Sequence, residues 1–193
     1  MTLDVRPLIG AALEAALPDL AALRIEVFRD FPYLYEGSPE YERRYLRSYQ
    51  ETARAVLVAA YDGARVIGAA TGMPLSDHGD ASQLHGSVGD IASVFYCAES
   101  VLLPEYRGQG VGHAFFDHRE THARSLGFSK IAFCAVTRPE DHPMRPTNYR
   151  SHDRFWTKRG YAPLPNKEAV FSWRDVGDES ESRKTLKLWM RTL

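Results

Sequence analysis

The sequence predicts a single domain of the α/β class that spans residues 1–193. Hydrophobic residues make up 44% of the chain and charged residues 25%, which is enough apolar surface for one substantial core. Apolar runs at residues 55–60 and 65–71 flank an Asp62-Gly63 step, which favours a tight hairpin turn. Elsewhere, strand-like apolar runs alternate with segments of helical periodicity. These observations favour a sheet covered by helices.

The charge balance excludes several kinds of partner. The 24 Lys and Arg residues nearly match the 25 Asp and Glu residues, so the formal net charge is -1. No global basic field attracts nucleic acid or an anionic membrane, and no apolar stretch approaches the length of a membrane span. The N-terminus lacks the pattern of a secretory signal. Cys97 and Cys134 have no ligand spacing, which excludes a disulfide framework but not one bridge. We expect a cytoplasmic protein with reduced thiols.

The elements of the first half follow from apolar periodicity and local start signals. Pro18 fits the first turn of a helix, and Ser38 followed by Pro39 is a good helix start. The polar, glycine-rich residues after the hairpin are typical of a long loop with room for one helical turn. In order, we predict a strand at residues 3–8, a helix from Pro18 toward Asp30, a helix from Ser38 to about Gln50, the two hairpin strands, and a loop at 74–90.

The second half shows the same alternation of strands and helices. Gly127 and Gly160 each follow a helical segment, as C-terminal caps do. In order, we predict a strand at residues 93–103, a helix at 110–126, a strand at 130–136, a helix at 148–159, and late strands at 161–164, 169–173 and 185–191.

The most informative segment is residues 99–113 (ESVLLPEYRGQGVGH), where an apolar strand and a proline precede a glycine-rich turn that opens into a helix. Glycines let the backbone approach an anion, and the unpaired N–H groups of a helix start converge on it. Arg107 can add a charged contact to phosphate. A Walker loop would need Lys and Ser or Thr in place of His113-Ala114, and neither reading of GxGxxG finds its third glycine. The remaining pattern is R-x-x-G-x-G.

This pattern, taken with its context, resembles the acetyl-CoA-binding motif of the GNAT (GCN5-related N-acetyltransferase) superfamily. The context is L-P-x-Y-R-G-x-G-x-G after an apolar strand, then a helix, the strand KIAFCAV and the late segment FWTKRGY. The order of elements matches the family over almost the whole chain. The resemblance implies a mixed, mostly antiparallel central sheet with splayed fourth and fifth strands, flanked by about four helices.

The resemblance also implies how acetyl-CoA would bind as a co-substrate, without any metal. Its pantetheine arm would pair with the main chain of Val101, Leu102 and Leu103, and the N–H near Leu102 could polarise the thioester carbonyl. Asn148 and Phe155 would add further contacts. Its pyrophosphate would meet the backbone N–H groups of the glycine turn, which belong to Arg107, Gly108, Gln109, Gly110, Val111, Gly112 and His113.

By the same resemblance, the chemistry would take place between the strands at residues 99–103 and 131–136. Transfer to an alkylammonium needs a group that removes a proton. Glu99 is the candidate base because it stands in an otherwise apolar run, FYCAESVLL; alternatively, it caps the strand edge or pairs with an arginine. Family members often protonate the leaving thiolate with a helix tyrosine, where this chain has Trp156. Tyr149 or solvent is therefore the expected acid.

The acceptor would bind beside the first two helices, where residues 28–45 are rich in aromatic side chains. Tyr33 and Tyr35 could form a wall that attracts a cationic amine, with Asp30 or Glu36 as counter-charge. The alternative for each single aromatic residue is a place in the core. The residues assigned to acceptor binding are Phe31, Tyr33, Tyr35 and Glu36.

Other polar residues leave alternatives open. Asp77, His85 and Asp90 of the long loop could also reach the site. Arg138, His142 and Arg145 could bind an anionic acceptor or the 3'-phosphate of the cofactor, or they are solvated loop charge. His118 and His122 stand four residues apart on one helix, but no third metal ligand is evident.

Taken together, the sequence predicts an acetyl-CoA-dependent N-acetyltransferase whose acceptor is a small-molecule amine that attacks the thioester directly. A peptide or protein N-acetyltransferase is the first alternative and would need an open groove. A catalytically silent acyl-CoA sensor is the second, which the missing helix tyrosine favours and the intact glycine turn disfavours. No nucleic-acid or membrane partner is expected, and a homodimer is left open.

Overall fold

The first helix, α1 (Gly10–Val27), follows strand β1 (Asp4–Leu8) in the computed structural model, which describes residues 3–79, 81–84 and 86–193. Pro18 lies inside this helix, so the predicted helix start was wrong. A proline in a helix interior costs about 3 kcal/mol, but each buried leucine contributes roughly 1.5–3 kcal/mol. The helix offsets that cost with a buried apolar stripe, which consists of Leu13, Leu17, Leu20 and Leu23.

The next helical segment begins where it was predicted but is divided in two. The Ser38 hydroxyl accepts a hydrogen bond from the Tyr41 N–H at 3.3 Å, which confirms the predicted cap. The predicted helix to Gln50 breaks at Leu46, so the segment forms α2 (Pro39–Tyr45) and α3 (Arg47–Glu51). Leu46 is itself buried, so the break lets both short helices pack on the core.

The remaining strands form one mixed sheet, and their bounds are β2 (Val56–Asp62), β3 (Arg65–Pro74), β4 (Val94–Tyr96), β5 (Ser100–Leu102), β6 (Lys130–Val136), β7 (Ala162–Arg174) and β8 (Glu181–Thr192). Over the described residues the strand order is β1-β2-β3-β4-β6-β8-β7, and β5 pairs with β3. The β4–β6 pair is parallel and the other pairs are antiparallel. The predicted hairpin joins β2 and β3, with Gly63 in the left-handed conformation it was expected to supply (φ 60°).

The strand predicted over residues 93–103 is interrupted, and this interruption creates the splay. Its first part, β4, pairs with β6 up to Tyr96 and Ala132, and the Cys97 N–H still donates to the Ala132 carbonyl at 2.8 Å. Beyond that point β5 pairs with β3, whereas β6 pairs with β8. The two central strands therefore separate into a cleft, which confirms the predicted fold class.

The helices of the second half frame this cleft. α5 (Val111–Ser125) is followed by Gly127 with φ 83°, as the predicted cap requires. The helix predicted from residue 148 is shorter and forms α6 (Asp153–Lys158). The Asp153 N–H donates to the Ser151 hydroxyl at 3.0 Å, and such local bonds compete with helix formation. The strands predicted at 161–164 and 169–173 form the single irregular strand β7.

The long loop runs as predicted, with short helical turns at Leu75–Asp77 and at Ala81–Leu84, the latter named α4. Asp80 and His85 lie outside the described residues. Cys97 and Cys134 are both buried and form no disulfide in the described structure, and burial raises the pKa of the Cys97 thiol to about 11. No helix in the described ranges has the length and apolar character needed to cross a membrane.

Candidate active site

The turn before α5 has the geometry of an anion site. Gly108 and Gly110 have φ values of 79° and 85°, a left-handed conformation that favours glycine. A Cβ at either position would meet no atom within 4 Å, so the space beside the turn is open. Within the described chain, the N–H groups of residues 108–112 donate to no backbone carbonyl. These unpaired donors lie at the positive end of the α5 dipole, and this arrangement suits an anion. The predicted donors at the two ends of this run are corrected, because the N–H groups of Arg107 and His113 donate to the carbonyls of Pro104 and Gly110 at 3.2 and 2.9 Å.

The start of α6 lies beside this turn. The Phe155 ring packs on His113 at a centroid distance of 4.8 Å. Its edge lies 3.7 Å from the place a Cβ of Gly112 would take. Burial lowers the pKa of His152, and the Arg107 guanidinium lowers it further. The structure thus places Phe155 beside the turn.

Two other predicted cofactor residues have different surroundings. Asn148 is exposed in a turn ahead of α6, which leaves its assignment a prediction. The Arg107 guanidinium is exposed, and its Nε donates to the Leu102 carbonyl at 3.3 Å. Arg107 therefore connects the glycine turn to β5.

The free edge of β5 faces the cleft. Val101 pairs with Ala69 on β3, and the Leu103 N–H donates to the Ile67 carbonyl at 3.0 Å. Backbone groups alternate in direction along an antiparallel strand, so those of Leu102 and Ser100 point into the cleft. The main-chain pairing predicted for Val101 and Leu103 is corrected, because their backbone groups face β3. Ser100, which strand alternation could have indicated, was missed.

A pocket lies where β4 and β6 diverge. Its cavity has a volume of about 120 Å³. Its walls come from α1, the segment after α1, α2 and the strands on both sides of the cleft. The lining residues are mainly aromatic: Phe28, Tyr33, Tyr35, Tyr41, Tyr45, Tyr96, Phe171 and Trp173, together with Arg24, Ala98, Cys134, Ser172 and Leu186.

Residues 20–161, well over half of the chain, match the acetyltransferase (GNAT) family. The chain belongs to the GNAT acetyltransferase family. None of the curated proteins matches it in sequence.

Solved structures share the fold at low sequence identity. A GNAT from Kribbella flavida is 19% identical with a TM-score of 0.59, and covers 99% of this chain and 98% of its own. The yncA protein of Salmonella typhimurium, solved with acetyl-CoA, is 11% identical with a TM-score of 0.65. The match covers 100% of this chain and 95% of the yncA chain. The PaiA N-acetyltransferase of Thermoplasma acidophilum, solved with coenzyme A, is 14% identical with a TM-score of 0.56, and covers 100% of both chains.

In this GNAT, Glu99 belongs to a buried charge network behind the pocket. Arg24 donates through Nε to Glu42 at 2.5 Å and through Nη1 to Glu99 at 2.8 Å. The side chains of Glu42 and Glu99 are 0% and 1% exposed. Tyr35 donates to Glu42 at 2.9 Å, whereas Tyr45 donates to Glu99 at 3.1 Å. The pairing of Glu99 with an arginine, which was the structural alternative, is therefore observed.

Burial and the two carboxylates shift the pKa of Arg24 in opposite directions. Burial alone would lower the pKa of the guanidinium, but Glu99, Tyr45 and Glu42 raise it well above its usual value. Arg24 therefore stays charged, and the cluster of one cation and two carboxylates carries one net negative charge when both acids are ionised. Sequence analysis missed Arg24 and Glu42. The sequence signal that could have identified them was a charged residue on the otherwise apolar face of α1 and another on α2.

The predicted acceptor residues divide into two groups. Tyr33 and Tyr35 line the pocket. The Phe31 ring instead packs edge-to-face with the Tyr149 ring, at a centroid distance of 4.7 Å, and Phe31 does not line the pocket. Glu36 forms an ion pair with Arg29 at 2.7 Å and does not line the pocket, so its predicted place in the pocket wall is wrong. The carboxylates of Glu42 and Glu99 instead bond to lining residues from behind the wall.

Tyr149, the predicted acid, lies in the connection before α6 and not on a helix. Burial raises the pKa of its hydroxyl, although Arg145 opposes the effect, so Tyr149 holds its proton at neutral pH. Trp156 packs instead on Phe133 and Trp189, at 4.9 Å and 5.2 Å. It has a core role at the position of the usual family tyrosine.

The other polar residues considered for the site, or for a metal, bond to neighbouring groups of the fold. Asp77 bonds to Arg54 and Thr52, and Asp90 accepts from the Ala92 N–H. His118 and His122 contact backbone carbonyls of Val5 and Arg54. The described residues include no group of three or more His, Cys, Asp or Glu side chains that could hold a metal.

Arg138 has a positioning role that sequence analysis missed. Its guanidinium binds both oxygens of Asp175 at 2.7 and 2.9 Å and donates to the carbonyls of Pro32 and Tyr33 at 2.8 and 2.7 Å. The Trp173 indole N–H also donates to the Tyr33 carbonyl at 3.0 Å. These bonds fix the segment that carries Tyr33 into the pocket wall.

Proposed function

We propose that this GNAT is an acetyl-CoA-dependent N-acetyltransferase whose acceptor is a small-molecule amine. The observation that carries the proposal is the alignment of three features along one cleft. The glycine turn before α5 has open donors for a pyrophosphate, the Leu102 edge of β5 can pair with an extended pantetheine, and the aromatic pocket lies where the strands separate. Two structural neighbours, solved with coenzyme A and with acetyl-CoA, support the cofactor.

The pocket favours an acceptor with a compact apolar body and one positive charge. Its volume is about 120 Å³, close to the roughly 150 Å³ cavity that holds benzene in an engineered protein. Aromatic faces attract organic cations. Arg24, the cation of the pocket wall, is paired with Glu42 and Glu99, so its charge is compensated. A carboxylate on the acceptor would meet a guanidinium that two acids already occupy.

Each step of the transfer has a candidate residue. The N–H of Leu102, directed into the cleft, can donate to the thioester oxygen as negative charge develops on it. Glu99 can hold the proton that the ammonium loses, because Arg24 remains paired with Glu42. Tyr149, which keeps its own proton at neutral pH, is the proposed donor to the leaving thiolate, with solvent as the alternative. Acetyl-CoA supplies the activated acyl group.

A panel of acceptors tests this proposal. Purified protein is incubated with acetyl-CoA and phenethylamine, putrescine, glucosamine, phenylalanine or an alanine-initiated tripeptide, and thiol release is followed while mass spectrometry identifies the product. We expect phenethylamine to give the highest kcat/KM and phenylalanine, its carboxylated counterpart, to fall below it by about 10-fold or more, the equivalent of roughly 1.4 kcal/mol.

Three outcomes would count against it. Preference for the tripeptide would indicate a peptide N-acetyltransferase. Calorimetric binding of acetyl-CoA without thiol release for any amine would indicate a sensor. An O-acetylated product from glucosamine, without any acetylated amine, would exclude N-acetylation.

Replacing Gly110 with Ala tests the cofactor turn. The left-handed conformation at Gly110 (φ 85°) costs an L-residue about 1–2 kcal/mol, so the variant should distort the turn and raise KM for acetyl-CoA by about 10-fold. Gly79→Ala is the matched control, because Gly79 has no positive φ and a Cβ there meets no atom within 4 Å. An equal KM in both variants would remove the turn from cofactor binding.

A further inference from the structure

Glu99 is separated from the pocket by other side chains. It is not a lining residue, and its side chain is 1% exposed. Its carboxylate bonds to Arg24 at 2.8 Å, Tyr45 at 3.1 Å and Thr71 at 2.6 Å, and it also interacts with the Tyr49 hydroxyl. A proton that moves from the pocket to Glu99 therefore passes through one of these groups.

Tyr45 is the group that suits such a transfer. Thr71 and Tyr49 are 0% and 2% exposed, and neither lines the pocket. Arg24 lines the pocket but keeps its proton, because a guanidinium does not deprotonate in proteins. Tyr45 lines the pocket, donates to Glu99 and carries a hydroxyl, which can accept one proton while it gives another.

We propose that Tyr45 is a catalytic residue that relays the ammonium proton of the acceptor to Glu99, an inference that rests on the proposed function. The Tyr45 oxygen accepts a proton from the ammonium nitrogen while its own proton passes to the Glu99 carboxylate. The acceptor becomes a neutral amine, Glu99 becomes a carboxylic acid, and Tyr45 is regenerated. The amine nitrogen then bonds to the acyl carbon as the carbon–sulfur bond breaks. The nitrogen then releases its second proton to solvent, and the thiolate takes one from Tyr149 or from solvent. After the products leave, Glu99 returns its proton to solvent through Tyr45, which restores the carboxylate.

The charge of the network permits this transfer. Arg24 compensates one carboxylate, so a proton on Glu99 leaves the neutral pair of Arg24 and Glu42. A buried pair of opposite charges tolerates this, whereas an uncompensated buried charge would be costly. The ion pair with Arg24 thus allows Glu99 to take up one proton.

Tyr35 and Glu42 form a similar pair of a tyrosine in the pocket wall and a carboxylate behind it. Tyr35 lines the pocket and donates to Glu42 at 2.9 Å. Glu42 belongs to α2, whereas Glu99 directly precedes β5, whose free edge faces the cleft. The reacting nitrogen must approach that edge, so the pair of Tyr45 and Glu99 is the one beside the chemistry.

Several ionisable groups surround Tyr45. The Arg24 guanidinium lies 4.3 Å above its ring, and the Tyr41 ring stacks on it at 6.2 Å. The His78 Nε2 lies 3.5 Å from its hydroxyl oxygen. Since Tyr45 contacts both Glu99 and His78, acceptors of different basicity must be compared at one pH, which keeps these groups in the same charge state.

The experiment compares phenethylamine with 2,2-difluoro-2-phenylethylamine, whose fluorines lower the basicity of the amine so that more of it is uncharged at pH 7. Tyr45→Phe keeps the ring and removes the relay. We expect kcat with phenethylamine to fall by about 100-fold or more, and kcat with the fluorinated amine to fall far less. A purely structural role would lower both rates equally.

Two further variants serve as comparisons. Tyr35→Phe, which changes the pocket wall, should affect both amines to the same degree. Tyr161→Phe removes the hydroxyl of a buried tyrosine that donates to Glu120 at 3.0 Å and does not line the pocket. The rates with both amines should therefore match those of the wild type. Thermal melting of each variant confirms that it is folded.

The outcomes separate the relay from the proposed function. Equal losses for both amines in Tyr45→Phe, or no loss, would overturn the relay while the enzyme remains an acetyltransferase. If the difference between the two amines is larger in Tyr35→Phe than in Tyr45→Phe, the relay runs through Tyr35 to Glu42, and the relay by Tyr45 is overturned. Absence of thiol release by the wild type with every amine of the panel would overturn the proposed function and the relay with it.

Discussion

Replacing Glu99 with Gln is expected to lower kcat for phenethylamine at pH 7 by about 10²–10⁴-fold, the usual contribution of a positioned base. Gln has nearly the same shape: its amide oxygen can still accept from Arg24, which bonds to one Glu99 oxygen at 2.8 Å, and its amide N–H can donate to the Thr71 hydroxyl, which lies 2.6 Å from the other oxygen. It cannot take up the proton that the ammonium must lose. Initial rates and a melting curve on the same preparation measure the effect.

The pH dependence of the variant distinguishes lost chemistry from lost structure. An alkylammonium titrates near a pH of roughly 10, so the fraction of free amine rises with pH. Glu99→Gln should therefore regain activity as the pH is raised toward that value, whereas a misfolded variant would not. Glu36→Gln, at an exposed pair outside the pocket, should match the wild type. A Glu99→Gln variant as fast as the wild type at pH 7 would remove Glu99 from proton transfer.

The cofactor turn could be predicted from sequence because local chemistry determines it. Gly108 and Gly110 adopt the left-handed backbone that glycine allows, and the turn leads into an amphipathic helix whose start and end were predicted. The hairpin at Gly63 and the strand at Lys130–Val136 follow from equally local signals. For these elements, a few adjacent residues decide the structure.

The acceptor pocket could not be predicted in the same way because its walls come from distant parts of the chain. Tyr33 was found inside an aromatic-rich segment, but Tyr96 and Trp173 join it only through the pairing of β4, β6, β8 and β7. Phe31 and Glu36 belong to the same segment and point elsewhere. Composition identified the segment, and tertiary packing selected the residues.

Two local predictions failed where tertiary contacts prevailed over propensity. Pro18 was read as a helix start, but the buried leucine stripe carries α1 through it. The run FYCAESVLL was read as one strand, but Glu99 turns inward to Arg24 and Thr71 where the strand breaks. A carboxylate in an apolar run was the one visible signal that this strand would not be regular.

Arg24 itself gives the largest expected effect on stability. Arg24→Met keeps much of the side-chain volume but leaves Glu42 and Glu99 buried without their cation. Removing one partner of a buried ion pair typically costs about 3–5 kcal/mol. We expect a loss of this size in the free energy of unfolding, measured by urea denaturation, and a fall in Tm of about 10 °C for a domain of this length.

Two comparisons assign that loss to charge. Arg29→Met breaks the exposed pair with Glu36, 2.7 Å long, and should cost less than about 1 kcal/mol. The triple variant Arg24→Met, Glu42→Gln, Glu99→Gln removes the unpaired acids, so it should recover much of the lost stability, because a buried ion triad can be replaced by neutral groups at little cost. It should remain inactive toward phenethylamine, since it has no proton acceptor. A triple variant as unstable as Arg24→Met would show that packing, and not charge, makes Arg24 necessary.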